Sequence, residues 1–166
     1  MLQWRQSRVD EPVAEELLTE YFHSRAAGFP AQQGSYRTVF PRPEDFLPPR
    51  GVFLVLANND ESDDKGEDER ELGCGGIRLL SPVLPHGLRF ELKHLYLRPA
   101  VRGRGFGRAL LAELESRARG LGASELVLDT NASLEAAGGL YRSSGYSDIP
   151  PYNDNPNATN WYRKEL

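Results

Sequence analysis

Three glycines at alternate positions lie in the segment Arg102-Gly103-Arg104-Gly105-Phe106-Gly107. Glycine lets the backbone turn tightly and lets an anion approach the N–H groups closely. The amphipathic segment that begins at Phe106 predicts a helix, and a helix start adds unpaired N–H donors and a partial positive charge. Three arginines bring fixed positive charge to the same place: Arg102, Arg104 and Arg108. The spacing therefore predicts a cradle for a pyrophosphate.

The P-loop and the dinucleotide-binding loop are two designs for such a cradle. A P-loop requires a lysine and a hydroxyl residue after its last glycine, and neither follows these glycines. A dinucleotide-binding loop requires Gly-x-Gly-x-x-Gly and an acidic residue about 20 positions later. Gly103, Gly105 and Asp129 fit, but Arg108 stands where the third glycine is required. An NAD-dependent oxidoreductase is therefore a less favoured alternative.

A third design matches the loop better. Residues 102–107 read R-x-x-G-x-G, which resembles the signature with which the GNAT acetyltransferase superfamily holds the pyrophosphate of coenzyme A. Residues 137–146 read A-x-x-L-Y-x-x-x-G-Y, which resembles the second motif of that family. Residues 91–99 look like its central strand, and residues 125–131 look like the strand that follows. The resemblance covers about residues 90–149, in the family's order and spacing.

The resemblance implies a single GNAT-like domain over residues 1–166 with an α/β (α+β) fold. Its sheet would be mixed and mostly antiparallel, with splayed central strands and helices on both faces. It also implies an enzyme that moves an acetyl group from acetyl-CoA to a primary amine by direct attack, without a metal ion. The acceptor is expected to be an amine-bearing small molecule. A homodimer is compatible with the family, in which dimers are common.

The resemblance also assigns residues to the cofactor. The pantetheine arm would run along the backbone of the central strand at Leu95, Tyr96 and Leu97, while the two leucine side chains also fit core packing. Asn131 stands near the place of an asparagine that often holds this arm, and fits a helix N-cap equally well. The residues assigned to the pyrophosphate are Arg102, Gly103, Arg104, Gly105, Phe106, Gly107 and Arg108.

Tyr141 corresponds to the tyrosine that often protonates the departing thiolate in this family. A phenol is neutral at pH 7, and its pKa of about 10 lies just above the value of about 8.5 for a thiol. Tyr141 is therefore the candidate general acid. Its helical spacing from Ala137 also fits a packing role.

Glu91 is the candidate general base, directly or through water, because some family members place a glutamate at this distance before the loop arginine. His94 is the rival, since histidine titrates near neutrality, although a structural hydrogen-bonded histidine is favoured there. In a regular strand, residues 91 and 94 face opposite sides. At most one of them would then reach the acceptor, unless a bulge intervenes.

The polar loop before the last strand supplies candidates for the acceptor side: Tyr152, Asn153, Asp154 and Trp161. Its Pro, Asn and Asp content is also typical of a plain turn. The pair Gly138-Gly139 lies inside a predicted helix, where two glycines cost about 2 kcal/mol relative to alanine. We expect this pair to allow close approach of the cofactor or of a neighbouring element.

The composition, with 39% hydrophobic and 27% charged residues, fits a globular protein. The sequence has no apolar run long enough for a membrane span and no apolar signal core near Met1, so a cytoplasmic location is expected.

The single cysteine, Cys74, excludes an internal disulfide and fits a buried strand residue better than a nucleophile. The net charge of −4 disfavours a nucleic-acid partner. Eight acidic and two basic residues in 59–71 predict a solvated loop, or alternatively a surface that attracts a cationic acceptor.

Hydrophobic spacing and turn residues place these candidates on a series of elements. Asp10 is expected to cap the first helix and Gly28 to end it, and Asn131 or Ser133 is expected to cap the last helix. The expected strands are 3–9, 51–57, 72–80, 91–97, 125–128, 144–149 and 160–165, with a two-proline turn at 81–87 and a helix from 106 to 121.

A catalytically silent acyl-CoA-binding or regulatory module on the same fold is the second hypothesis. Both hypotheses predict cofactor binding, but only an enzyme would release free CoA in the presence of an amine. The presence of Tyr141 and Glu91 favours the enzyme.

Overall fold

The computed structural model of the protein describes residues 1–58, 71–80, 85 and 87–166. Most of the expected acidic loop and of the expected turn at 81–87 lies outside the described residues. None of the helices in the described ranges is long and apolar enough to cross a membrane. The α-helices are α1 (Pro12–Ala27), α2 (Phe106–Gly120) and α3 (Glu135–Ser143). The strands are β1 (Leu2–Gln6), β2 (Gly51–Asn58), β3 (Glu71–Leu79), β4 (Leu88–Leu97), β5 (Ala123–Thr130), β6 (Ser147–Asp148) and β7 (Asn160–Glu165).

The strands form one seven-stranded sheet in the order β1-β2-β3-β4-β5-β7-β6. Neighbouring strands are antiparallel except β4 and β5, which run parallel. Alternate residues of β2 reveal how the two faces are covered: Val52 and Leu54 pack with α2, whereas Phe53 and Val55 pack with α1. The predicted fold class, a mixed and mostly antiparallel sheet with helices on both faces, is therefore confirmed.

Pairing between β4 and β5 is confined to their first halves. Their register ends at Glu91 opposite Val127. Beyond that point β4 continues to Leu97 and β5 to Thr130, with no further pairing between the described residues of the two strands. The strands diverge there and leave one edge of β4 without a strand partner. The predicted splay of the central strands is thus present.

A β-bulge interrupts the pairing of β3 with β4. His94 and Leu95 together lie opposite the single residue Gly75. His94 has a φ of 58°, in the left-handed region that non-glycine residues rarely adopt. Because of the bulge, His94 lies on the same face of the sheet as Glu91, where it packs against Phe22 of α1. The two candidate bases therefore do not face opposite sides, as they would in a regular strand.

Two helices begin differently from the prediction. The N-cap of α1 is Glu11 and not Asp10, because both carboxylate oxygens of Asp10 accept hydrogen bonds from Arg8. The cap predicted for α3 is also wrong: Asn131 accepts a hydrogen bond from the backbone of Ser133 in a turn that precedes the helix. Neither difference moves the glycine loop or Tyr141 out of the predicted elements.

Candidate active site

A cavity of about 830 Å³ occupies the opening between β4 and β5. Residues 92–97 of β4 line one side, and residues 128–130 of β5 line the other. The glycine loop, α3 and the C-terminal half of α1 complete the wall. The structure thus brings the predicted loop, the predicted central strand and Tyr141 together in one site.

The backbone of the glycine loop carries unpaired donors. No described residue accepts a hydrogen bond from the N–H groups of residues 103–108. Gly103 and Gly105 have φ angles of 74° and 82°, and a Cβ at either position would meet no atom within 4 Å. Gly105 precedes α2 without a side-chain cap, so the first turn of this helix keeps its donors unsatisfied. Such a concave row of N–H groups can bind an anion.

Arg102 and Arg108 line the cavity, but protein acceptors already engage their guanidinium groups. Arg102 donates from Nε to the carbonyl oxygen of Leu97 at 2.9 Å. Arg108 donates from Nη2 to the hydroxyl of Ser143 at 2.8 Å and so ties the loop to the end of α3. Their charge acts on the cavity, while Arg108 makes three hydrogen bonds to Ser143 and Ser144 and Arg102 uses its Nε within the protein.

Arg104 and Phe106 do not line the cavity, unlike the other loop residues that were predicted to bind the cofactor. The guanidinium of Arg104 lies 4.9 Å from the centre of the Phe106 ring. This stacking holds both side chains against each other. The backbone N–H groups of the two residues still belong to the unpaired row, so a cofactor role for them would depend on the main chain.

Leu95, Tyr96 and Leu97 all line the cavity. Leu95 packs against the core on the α2 side, whereas Tyr96 lies in the core on the α1 side and donates its hydroxyl proton to Glu20 at 3.1 Å. The side chains are therefore used for packing. The backbone edge of these residues toward β5 remains unpaired, as a strand-like contact with pantetheine would require.

Tyr141 lies in the cavity wall with an exposure of 7%. Its ring packs beside Tyr146 and Tyr162, and its hydroxyl forms no hydrogen bond with any residue that the structure describes. Burial is the main cause that raises the pKa of the Tyr141 phenol above its ordinary value. The group is thus a neutral donor whose proton is not committed to another protein atom.

Glu91 is buried, with an exposure of 1%, and does not line the cavity. Its Oε1 accepts a hydrogen bond from Nε of Arg78 at 2.9 Å, and its Oε2 accepts one from the hydroxyl of Tyr152 at 2.7 Å. Nζ of Lys93, which does line the cavity, lies 3.9 Å from Oε1. The carboxylate is therefore charge-compensated behind the wall, and a role as base stays a prediction.

Asp129 is a carboxylate that does line the cavity. A dinucleotide-binding fold would instead use this residue to bind a ribose. Its side chain is 6% exposed and lies 3.5 Å from Nζ of Lys93. Its Oδ2 accepts a hydrogen bond from Nδ2 of Asn153 at 2.7 Å. Alternation along β5 is the sequence signal that could have identified Asp129. Val127 faces the same side of the sheet as its partner Glu91, and Asp129 shares that side because it lies two residues further along the strand.

The residues predicted for the acceptor side have unequal surroundings. Asn153 joins Asp129 to Trp161, whose Nε1 donates to Oδ1 of Asn153 at 2.9 Å. Tyr152 binds the buried glutamate of β4, as described above. Asp154 is exposed and has no partner in the described ranges. Most of this loop is therefore fixed to the sheet by polar contacts.

Asn131 is buried, and protein partners use both ends of its amide. Its Nδ2 donates to Oε1 of Gln33 at 2.7 Å and to the carbonyl oxygen of Asn157 at 3.1 Å, while Oδ1 accepts the N–H of Ser133. Asn131 does not line the cavity. It joins three loops around the site, and a contact with pantetheine stays a prediction.

The two glycines inside α3 differ in their surroundings. Gly139 lines the cavity, and a Cβ there would meet no atom within 4 Å. Gly138 is buried, and a Cβ there would lie 3.1 Å from the guanidinium of Arg142. Close approach of a ligand is thus sterically open at Gly139, while Gly138 makes room for a side chain of the same helix.

His94 lines the cavity from within an aromatic cluster. Its ring centre lies 5.5 Å from those of Tyr21 and Phe22 and 5.9 Å from that of Phe46. Its Nδ1 is buried and has no hydrogen-bond partner among the residues described. Burial, helped by nearby cations, lowers the pKa of His94 from 6.5 to about 3. The imidazole is therefore neutral at physiological pH.

Replacing His94 with asparagine tests this burial, because asparagine tolerates the left-handed backbone at that position. The unfolded chain binds a proton at His94 below about pH 6.5, whereas the folded protein does so only near pH 3, so wild-type stability is lost as the pH is lowered from about 6.5 toward 3. For each unit by which the pH is lowered, the free energy of unfolding should decrease by up to about 1.4 kcal/mol more in wild type than in His94→Asn.

Denaturant unfolding at several pH values within that window measures the two slopes. His23→Asn, which removes an exposed histidine from α1, is the control. Equal slopes for wild type and His94→Asn would contradict the assignment of a buried neutral imidazole.

Comparisons with known proteins connect this site to one family. A sequence model described as the Acetyltransferase (GNAT) family matches residues 12–146. An uncharacterised N-acetyltransferase of Schizosaccharomyces pombe is 36% identical over 109 residues, and the match spans 66% of this chain but only 60% of that protein's length. A GNAT-family acetyltransferase structure from Staphylococcus aureus has a TM-score of 0.71 at 16% identity and covers 100% of this chain and 99% of its own.

A further GNAT acetyltransferase structure, from Elizabethkingia anophelis, has acetyl-CoA bound. Its TM-score is 0.62 at 15% identity, with 99% of this chain and 98% of that one covered. These structural similarities establish the fold, and the family match over most of the chain establishes the relationship. The chain belongs to the GNAT acetyltransferase family.

Proposed function

We propose that this protein transfers an acetyl group from acetyl-CoA to a primary amine. One observation carries the proposal: an unpaired strand edge, a row of unsatisfied N–H donors and the uncommitted hydroxyl of Tyr141 meet in one cavity. A thioester carrier with a diphosphate could use all three. Membership of the GNAT family supports the same reaction.

Acetyl-CoA would bind mainly through the backbone. Its diphosphate would accept hydrogen bonds from the N–H groups of residues 103–108, where the positive end of α2 adds to the attraction. Its pantetheine arm would extend along residues 95–97 of β4 and form strand-like hydrogen bonds with the unpaired edge. The acetyl group would then lie in the opening between β4 and β5, within reach of Tyr141.

The acceptor must be a neutral amine when it reacts, since an ammonium ion has no electron pair with which to attack. The amine therefore first loses one proton. Attack on the carbonyl carbon forms the C–N bond, and collapse of the adduct breaks the C–S bond while Tyr141 gives its proton to the thiolate. The nitrogen releases its second proton, Tyr141 is reprotonated, and the net products are an amide, free CoA and one proton.

Glu91 is the proposed general base, acting through water. Its support is a fixed, charged carboxylate held by Arg78 and Tyr152 directly behind the cavity wall. Lys93 stands between this carboxylate and the cavity, at 3.9 Å from Oε1. A water molecule would therefore have to carry the proton from the amine to Glu91.

Gly105→Ala tests the binding of the diphosphate by the loop. Alanine at a φ of 82° is strained by about 1–2 kcal/mol, and relief of that strain would move the N–H donors out of register. The dissociation constant for acetyl-CoA, measured by titration calorimetry, should rise roughly 10-fold. Gly122→Ala introduces comparable strain, at a φ of 89°, just after the other end of α2 and is the control. Equal dissociation constants for the two variants would contradict binding of the diphosphate by the glycine loop.

Tyr141→Phe tests the general acid. The rate of thiol release from acetyl-CoA at saturating amine should fall about 10²- to 10⁴-fold, because the thiolate then leaves without a positioned proton donor. Tyr162→Phe is the control, since its hydroxyl binds Arg142 outside the cavity wall. An unchanged rate in Tyr141→Phe would exclude Tyr141 as the general acid. If acetyl-CoA binds but no amine causes thiol release, a catalytically silent binding module is favoured.

Glu91→Gln tests the general base, with Glu125→Gln as the control. Glu125 is another buried carboxylate bound by arginines, Arg89 and Arg163, and it does not line the cavity. Both variants break a buried ion pair, which destabilises by about 3–5 kcal/mol, so rates are compared where both remain folded. Only Glu91→Gln should lose about 10²-fold in kcat. Similar kcat values for the two variants would exclude Glu91 as the base.

A further inference from the structure

Arg25 is a cation in the cavity wall, and none of the carboxylates that the structure describes is its counter-ion. It lies in the last turn of α1. Its Nε is buried without a hydrogen-bond partner, and no carboxylate in the described ranges forms an ion pair with it. Its guanidinium carbon lies 6.0 Å from the ring centre of Tyr21 and 5.8 Å from that of Tyr36. The guanidinium lies beside both rings and interacts with the Tyr36 hydroxyl, while its other N–H donors have no carboxylate partner in the described ranges.

The direction of α1 places Arg25 far from the glycine loop. Glu20 of α1 binds both Arg98 and Tyr96 near the C-terminal end of β4, and Tyr21 packs against His94. Later positions of α1 therefore lie beside earlier positions of β4, away from the loop that follows that strand. Arg25 lies one turn, about 6 Å, further in this direction. It is therefore at the opposite end of the cavity from the proposed diphosphate site.

Arg25 also acts on the group that would react. Burial has the largest effect on the pKa of Tyr141, and among the fully charged residues Arg25 lowers this pKa while Asp129 raises it. All three residues line the same cavity. A molecule bound beside that hydroxyl would therefore have Arg25 and Asp129 as charged neighbours in the cavity wall.

Among the residues that the structure describes, positive charge is in excess at this end of the site. Glu91 and Asp129 are matched by Arg78 and Lys93, and no further described carboxylate compensates the charge of Arg25. An uncompensated cation stabilises an anionic ligand. It also lowers the pKa of a bound ammonium group, which favours the neutral amine that attacks. A ligand that carries both a carboxylate and an amine satisfies both conditions.

We propose that the acceptor is an amino acid, whose carboxylate binds the guanidinium of Arg25 and whose amino group lies between Asp129 and the thioester. This inference rests on the acetyl transfer proposed above. A guanidinium presents parallel N–H donors that match the two oxygens of a carboxylate. Oδ1 of Asp129, which lies 3.5 Å from Nζ of Lys93, would also accept a hydrogen bond from the amine, while Oδ2 is bound to Asn153. Specificity follows because an amine without a carboxylate leaves Arg25 unpaired.

A structural role for Arg25 would have a different signature. A cation in the last turn of a helix interacts favourably with the helix dipole and could stabilise α1 without touching a substrate. Arg119 provides a matched control, because it lies exposed in the last turn of α2 and outside the cavity wall. Arg25→Gln and Arg119→Gln remove the same charge from equivalent helix positions.

The first experiment measures thiol release from acetyl-CoA by the wild-type protein with matched sets of amines. Each set contains an amino acid, its carboxamide and the corresponding decarboxylated amine, and the sets cover a range of side chains and of amine-to-carboxylate spacings. In the best set, kcat/KM for the amino acid should exceed the values for both uncharged analogues about 10- to 100-fold, as expected for a charge-assisted bidentate contact.

The second experiment repeats the best set with the variants. Arg25→Gln should raise KM for the amino acid about 10- to 100-fold, with little change for the decarboxylated amine or for acetyl-CoA. Arg25→Lys should recover part of the loss, because lysine keeps the charge but not the planar fork. Arg119→Gln should leave all three KM values near those of wild type.

The outcomes separate this inference from the proposed reaction. If decarboxylated amines or carboxamides react as well as amino acids, the reaction stands and the assignment of the acceptor is wrong. If Arg25→Gln lowers the unfolding temperature but leaves KM for the amino acid unchanged, Arg25 is structural and the inference fails. If no amine releases thiol although calorimetry detects acetyl-CoA binding, the proposed reaction itself fails, and the acceptor assignment fails with it.

Discussion

The divergence of β4 from β5 is the constraint on which the rest of this site depends. Backbone N–H and C=O groups inside a protein are almost always paired, yet one edge of β4 loses its strand partner beyond Glu91. Below that point, Phe90 and Leu126 lie in the core on the α2 side and hold the parallel pair together. After that point, the bulge at His94 bends β4 along the edge that pairs with β3. The opening is therefore built into the sheet, and the groups that it exposes require a ligand or solvent.

The face of the sheet under α1 is charged where the opposite face is apolar. Glu91 and Asp129 are nearly fully buried carboxylates, and each is matched by cations and by a residue of the loop before β7. A buried carboxylate that loses one partner destabilises a protein strongly, so these contacts hold the loop and the strands in one arrangement. The network therefore fixes the wall of the acceptor end more firmly than a turn rich in proline and asparagine could by itself.

The sequence was sufficient for the elements with a strong local signal. The helical stripe after the glycine loop, the alternating glycines and the motif around Tyr141 depend on neighbours close in sequence, and the structure has them in the predicted elements. The same holds for the family and for the fold class. What the sequence could not supply depends on contacts distant in sequence. The burial of Glu91 depends on Arg78 and Tyr152, and nothing local identifies either as its partner.

The loop and Arg25 use positive charge in two different ways. Arg102 and Arg108 already donate to protein oxygens, so the loop would select its anion mainly by the spacing of fixed backbone N–H groups, with arginine charge as a background attraction. Arg25 has the opposite character, because no described oxygen uses its Nε and its guanidinium lies beside two aromatic rings. A backbone row suits a substrate that never varies, such as a common acyl carrier. A single side chain that one mutation can replace suits a partner that can vary, and acceptor specificity could then change within one fold without a change in the loop.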